Sequence, residues 1–120
     1  MSELTRLHIT RAATSLGWTA SDATPDAFAS KSARGIPGAR EAYLLLGYEG
    51  QRIRLTGKCI IDGVNVLSHL TGYVLTNACV KDINMAVSGF IGVVHATLDD
   101  KKMSRIRHSR LISHHALTSH

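Results

Sequence analysis

The chain has 120 residues, 44% hydrophobic and 19% charged, which suits one folded domain with its own core and excludes a disordered or low-complexity chain. Its net charge of +5 is uneven, with nine Lys/Arg against seven Asp/Glu in residues 1–98 and five against two in residues 99–120. The basic character belongs largely to the C-terminal end, where it favours an acidic partner without naming one.

Aromatic residues make up only 5% of the chain, so the core must be built from Leu, Ile, Val and Ala. Leu4, Leu7, Ala12, Ala13 and Leu16 recur near helical spacing, and Gly17 follows as a stop, so the pattern predicts a helix over residues 3–16. Its Glu3, Arg6, His8 and Arg11 lie where a secretory signal needs an apolar core. Next comes a stretch rich in Ser, Ala, Thr and Gly that carries both prolines. Two short edge strands, near residues 18–21 and 27–31, joined by a turn over 22–26, are expected there. A short helix starting at Thr24-Pro25-Asp26 is the alternative. Arg34-Gly35-Ile36-Pro37-Gly38 reads as a loop.

Residues 41–61 read as a β-hairpin with unlike arms. Tyr43–Tyr48 are apolar on both faces, Gly50 lies in the turn, and the second arm alternates Ile53, Leu55, Gly57, Cys59, Ile61 with Arg52, Arg54, Thr56, Lys58. Because strand side chains alternate, this second arm has one apolar and one basic face. Asp62-Gly63 then ends the strand. Val64, Leu67, Leu70, Val74, Leu75 and Ala78 recur at three and four residues, which predicts a helix capped by Asp62 or Asn65. Residues 83–98 are uncharged but shorter than the roughly 20 apolar residues of a membrane helix. Their alternation at Ile83, Met85 and Val87, the Ser88-Gly89 pair and the β-branched run after it predict a second hairpin, with a buried helix as the alternative. Acids at Asp99 and Asp100 followed by bases fit a C-terminal helix over 99–112, in the order the helix dipole prefers.

The expected architecture is therefore α+β: one domain over residues 1–113, with an antiparallel sheet of hairpins, helices mainly on one side, a basic C-terminal helix, and a frayed tail over 114–120. Cys59 and Cys79 have neither a C-x-x-C spacing nor a secretory context, so both read as free thiols in a reducing, cytoplasmic setting.

No phosphate-binding glycine loop, nucleotide fingerprint, nucleophile elbow or zinc helix occurs in the sequence, and no motif places it in a family. The reading is a small non-enzymatic binding protein without a cofactor or metal. It would associate through apolar sheet surface, as a homo-oligomer or with another protein, and not with a membrane. An acidic partner, protein or nucleic acid held by non-specific phosphate contacts, would meet Arg52, Arg54 and Lys58 together with Lys101, Lys102, Arg105, Arg107 and Arg110 of the terminal helix. No aromatic residue lies within the basic face, which counts against base stacking. The alternative is a small enzyme or ligand-binding domain with a pocket near His69 and His95, polar groups set in apolar segments. His108, His114, His115 and His120 crowd the C-terminus without partner spacing for a specific metal site.

Overall fold

The computed structural model describes the backbone of residues 2–118 and the side chains of residues 4–107. Helix α1 (Ser2–Ser15) leads into strands β1 (Thr19–Ala20), β2 (Ala27–Ser32), β3 (Glu41–Glu49), β4 (Arg52–Ile61), β5 (Val64–Asn65) and β6 (Thr71–Leu75). The last element is α2 (Val80–Thr118). Every strand pairing is antiparallel. The sheet order is β1-β2-β3-β4, after which the second edge of β4 is shared by β6 at residues 52–56 and by β5 at residues 60–61. The expected α+β architecture, with an antiparallel sheet and its helices on one side, is the one observed.

Helix α1 stops where the sequence predicts. Gly17 adopts a φ of 93°, and the Trp18 amide reaches back to the Ala13 carbonyl at 3.2 Å, closing the helix end. On the other side of the sheet's first turn, Arg6 donates to the Pro25 and Ala27 carbonyls at 3.1 and 2.9 Å and so holds α1 against the β1–β2 connection. Strands β1 and β2 form where expected, but only β1 lies at the edge: β2 is an inner strand, paired with β1 on one side and β3 on the other. In the β3–β4 hairpin Glu49 faces Arg52, and Gly50, at φ 65°, makes the tight turn between them.

Two expectations are overturned. Residues 64–78 form no helix. Asp62 and Gly63 both have positive φ, 52° and 79°, the conformation of a two-residue type I′ hairpin turn, so the chain folds back as β5 instead of entering a helix. From there residues 71–75 alternate as a strand, with Val74 buried and Tyr73 and Leu75 exposed. The apparent helical period arose because the turn residues Leu67 and Leu70 also point into the core.

Residues 83–98 form no hairpin. They belong to α2, and the stripe Ile83, Val87, Phe90, Ile91, Val94 is buried while Met85 faces solvent. That stripe follows helical spacing, which overrides the short alternation at 83–87 and the Ser88-Gly89 pair. The buried helix and the C-terminal helix are thus one element of 39 residues, about 58 Å long at 1.5 Å per residue.

The core lies between the two helices and one face of the sheet. Leu44 and Leu46 from β3, Ile53, Leu55, Cys59 and Ile61 from β4, and Val74 from β6 meet Ile9, Ala12 and Ala13 of α1 and the α2 stripe. Two close approaches fix the packing. A Cβ on Gly57 would lie 3.0 Å from Leu67, and one on Gly72 would lie 3.0 Å from Phe90.

Between β5 and β6 the middle of β4 has no strand neighbour on that edge. The side chain of Asn65 takes its place. Its amide oxygen accepts from the Cys59 and Leu67 amides at 2.9 and 3.1 Å, and its Nδ2 donates to the Gly57 carbonyl at 3.1 Å. The backbone groups that a missing strand would have bonded are therefore satisfied.

Candidate functional site

Along β4 burial alternates residue by residue, so the face opposite the helices carries Arg52, Arg54, Thr56, Lys58 and Ile60. At about 3.4 Å per residue, Arg52 and Lys58 stand roughly 20 Å apart with Arg54 between them. The strand register adds what β4 alone could not show. Tyr43 of β3 lies directly opposite Lys58, and Tyr73 of β6 lies opposite Arg54. The Arg52 guanidinium stands 4.2 Å from the centroid of the Tyr73 ring. Cations and aromatic rings are therefore interleaved across three strands, although none is interleaved within one.

Two carboxylates belong to the same face. Glu49 pairs with Arg52 at 3.8 Å across the hairpin, and Glu41 lies at the opposite end of β3. Near Glu41 a depression of about 450 Å³ is lined by Arg40, Tyr43, Lys58 and Ile60. Leu75 and Ile60 are 59% and 43% exposed, so the open face also presents apolar surface beside its charges.

The basic residues of α2 do not join this face as a group. The Arg105 guanidinium is held by partners of its own chain at the surface: it pairs with the exposed Asp62 carboxylate and its Nε donates to the Pro37 carbonyl at 3.2 Å. This residue fastens α2 to the β4–β5 turn and to the β2–β3 connection. Lys102 lines a cleft beside that connection, Lys101 lines a different depression, and Arg107 is exposed. The side chain of Arg110 lies outside the described residues, as do those of His108, His114, His115 and His120.

His69 and His95 do not converge on one cavity. His69 shares a shallow depression with Gly92, Ala96 and Asp100 on one side of α2, whereas His95 faces the cleft beside Ile36, Leu98 and Lys102. His95 is the more constrained of the two. Its Nε2 accepts the indole N–H of Trp18 at 2.9 Å, with the rings nearly parallel at 6° and their centroids 5.9 Å apart. Burial, then the Lys31 ammonium, push this imidazole below its ordinary value, and Asp99 acts in the opposite direction.

The free thiols differ sharply. Cys59 is buried and burial pushes its pKa up, while Cys79 is exposed just ahead of α2. Among the described residues no group of three or more His, Cys, Asp or Glu is placed to hold a metal ion, and no helix is long and apolar enough to cross a membrane.

The fold and this face define a class: a small α+β domain with both helices on one side of an antiparallel sheet and the other side open. No family, no curated protein and no solved structure matches the chain.

Proposed function

We propose that this protein is a non-enzymatic binding module whose open sheet face engages single-stranded nucleic acid. The observation that carries the reading is the placement of Tyr43 and Tyr73 opposite Lys58 and Arg54, with Arg52 over the Tyr73 ring. Single-strand platforms combine cations that follow the phosphates with rings on which bases stack, and stacking tolerates any sequence. The two tyrosines are separated by about 13 Å along β4 and about 10 Å across it, room for a strand of a few nucleotides to lie diagonally. Guanidinium planes such as that of Arg52 also serve as stacking surfaces.

An anisotropy titration with a short mixed-sequence single-stranded oligonucleotide, repeated across a salt series, tests this reading. Affinity should fall steeply with salt, and Arg54→Ala and Lys58→Ala should each flatten that dependence. Tyr73→Ala should weaken binding by about 1–3 kcal/mol while leaving the salt slope unchanged. Binding that ignores salt, or that survives all three substitutions, would refute the proposal and leave an acidic protein as the partner.

The exposed Ile60 and Leu75 support a second use of the same face, self-association through apolar sheet surface. Sedimentation equilibrium of the protein alone tests it, with Leu75→Glu expected to shift any dimer to monomer. A monomer at every concentration would exclude it.

A further inference from the structure

A second site lies on the other side of the sheet, in the cleft between the β2–β3 connection and α2, and it does not depend on the nucleic-acid reading. The cleft encloses about 390 Å³, within the range of small-molecule sites. Its floor is apolar, with Ala33, Ile36 and Ala42 all buried and Leu98 packed against them. Its walls are polar and come from separate elements. Lys31 enters from β2, paired in register with Ala42, while His95, Asp99 and Lys102 enter from two successive turns of α2.

Three details give the walls a definite chemistry. Gly35 leaves room for the Lys102 ammonium, which lies 3.6 Å from where a Cβ would stand, so the amine can rest over the loop at the cleft's edge. The Trp18 indole occupies Nε2 of His95, which fixes the neutral ring with its proton on Nδ1 and makes the ring a donor from that atom. With the imidazole neutral, the two lysines outweigh Asp99 and the cleft carries a net charge of +1. A monoanion neutralises that charge, whereas a phosphate dianion would overcompensate it.

We infer that this cleft is a binding site for a small organic monoanion, a carboxylate whose charged end meets Lys31 and Lys102 and whose apolar body rests on Ile36, Ala42 and Leu98. An apolar floor with a few convergent polar groups is the usual construction of a small-ligand site. Lys31 from β2 and Lys102 from α2 both line the cleft, their ammonium groups resting 3.8 Å from where a Cβ on Gly17 would stand and 3.6 Å from one on Gly35.

Trp18 is the chain's single tryptophan and its indole N–H bonds a wall residue, so its ¹H–¹⁵N cross-peak reports on the cleft without assignment ambiguity. The full-length protein would be titrated at fixed ionic strength with acetate, benzoate, benzamide and inorganic phosphate. Benzoate should shift the Trp18 cross-peak saturably, with acetate weaker because it lacks the apolar body. Benzamide, the neutral isostere, should bind at least tenfold more weakly than benzoate. Lys31→Gln and Lys102→Gln, which alter exposed side chains and should leave the remaining spectrum in place, should each weaken benzoate at least tenfold, and Arg54→Ala should leave it unchanged. Non-saturating shifts, equal responses to benzoate and benzamide, or insensitivity to both lysine substitutions would overturn the assignment. Phosphate binding as tightly as benzoate would overturn the preference for a monoanion.

Discussion

The side chain of Asn65 stands in for a strand, and removing it should show what that substitution is worth. Asn65→Ala abolishes two bonds accepted from the Cys59 and Leu67 amides and one donated to the Gly57 carbonyl. A net contribution of about 1 kcal/mol for each bond gives a loss of roughly 3 kcal/mol, nearer 2 if water reaches the freed groups of this half-buried residue. For a domain whose whole stability is about 5–15 kcal/mol, that is a large fraction. With a urea dependence of roughly 2 kcal/mol per molar, the unfolding midpoint should drop by about 1–1.5 M. Amide exchange supplies the local readout, since Cys59 and Leu67 should lose protection out of proportion to the rest of β4. Asn65→Asp keeps both accepted bonds and turns an oxygen toward the Gly57 carbonyl, so it should fall between wild type and Ala at neutral pH. It should recover as acid protonates it and restores a donor. A midpoint change under about 0.3 M for Asn65→Ala, with no local change in exchange, would refute the idea that this side chain completes the sheet.

Other substitutions and conditions follow from the same packing. Gly72→Ala would set its Cβ 3.0–3.2 Å from three atoms of the buried Phe90, and overpacking of that kind costs about 1–3 kcal/mol, whereas Gly89→Ala on the open side of α2 should gain up to about 1 kcal/mol in helix propensity. Thermal melts that rank the two variants the other way would contradict the assigned burial of the helix. The lowered pKa of His95 means that the unfolded chain binds its proton first as pH falls. Stability should hold above the ordinary imidazole value near 6.5 and be lost below it, down through the folded-state value. His95→Gln should remove that part of the pH dependence between wild-type and variant melts.

Much of this architecture can be read from residue order, and the failures have identifiable causes. Helix α1, its Gly17 stop, strands β1 and β2 and the β3–β4 hairpin each form where local signals place them, although α1 buries Ile9, Ala12 and Ala13 and leaves Leu4, Leu7 and Leu16 exposed, and β2 is an inner strand. The segment after Asp62-Gly63 does not, because Leu67 and Leu70 are buried from a turn and so imitate one face of a helix. The turn itself carried the better signal: an Asp-Gly pair between β-branched, apolar runs favours a two-residue hairpin. In residues 83–98 a three-residue alternation competes with a longer stripe at helical spacing, and the length of the stripe favours the helix.

At the candidate site the basic row on β4 was legible, and its aromatic neighbours were not. Tyr43 could be placed opposite Lys58 by counting outward from the Gly50 turn. Tyr73 could not, because Leu67 and Leu70 give its segment the period of a helix. Arg105 illustrates the opposite limit. Its type and position fit a surface cation, and only the folded chain shows Asp62 and the Pro37 carbonyl already holding it.

The sheet's inner face is roofed by the first and the last elements of the fold, and this has a consequence during synthesis. The strands are adjacent in sequence and can zip together as they emerge, but Leu44, Leu46, Ile53, Leu55 and Val74 stay uncovered until the α2 stripe from Ile83 to Val94 follows. At translation rates of about 5–20 residues per second that interval is roughly 1–4 s, long compared with hairpin formation. A nascent chain at this stage presents a greasy, half-finished meander, so slowing elongation before codon 95 should raise its dependence on ribosome-associated chaperones, and speeding it should lower that dependence.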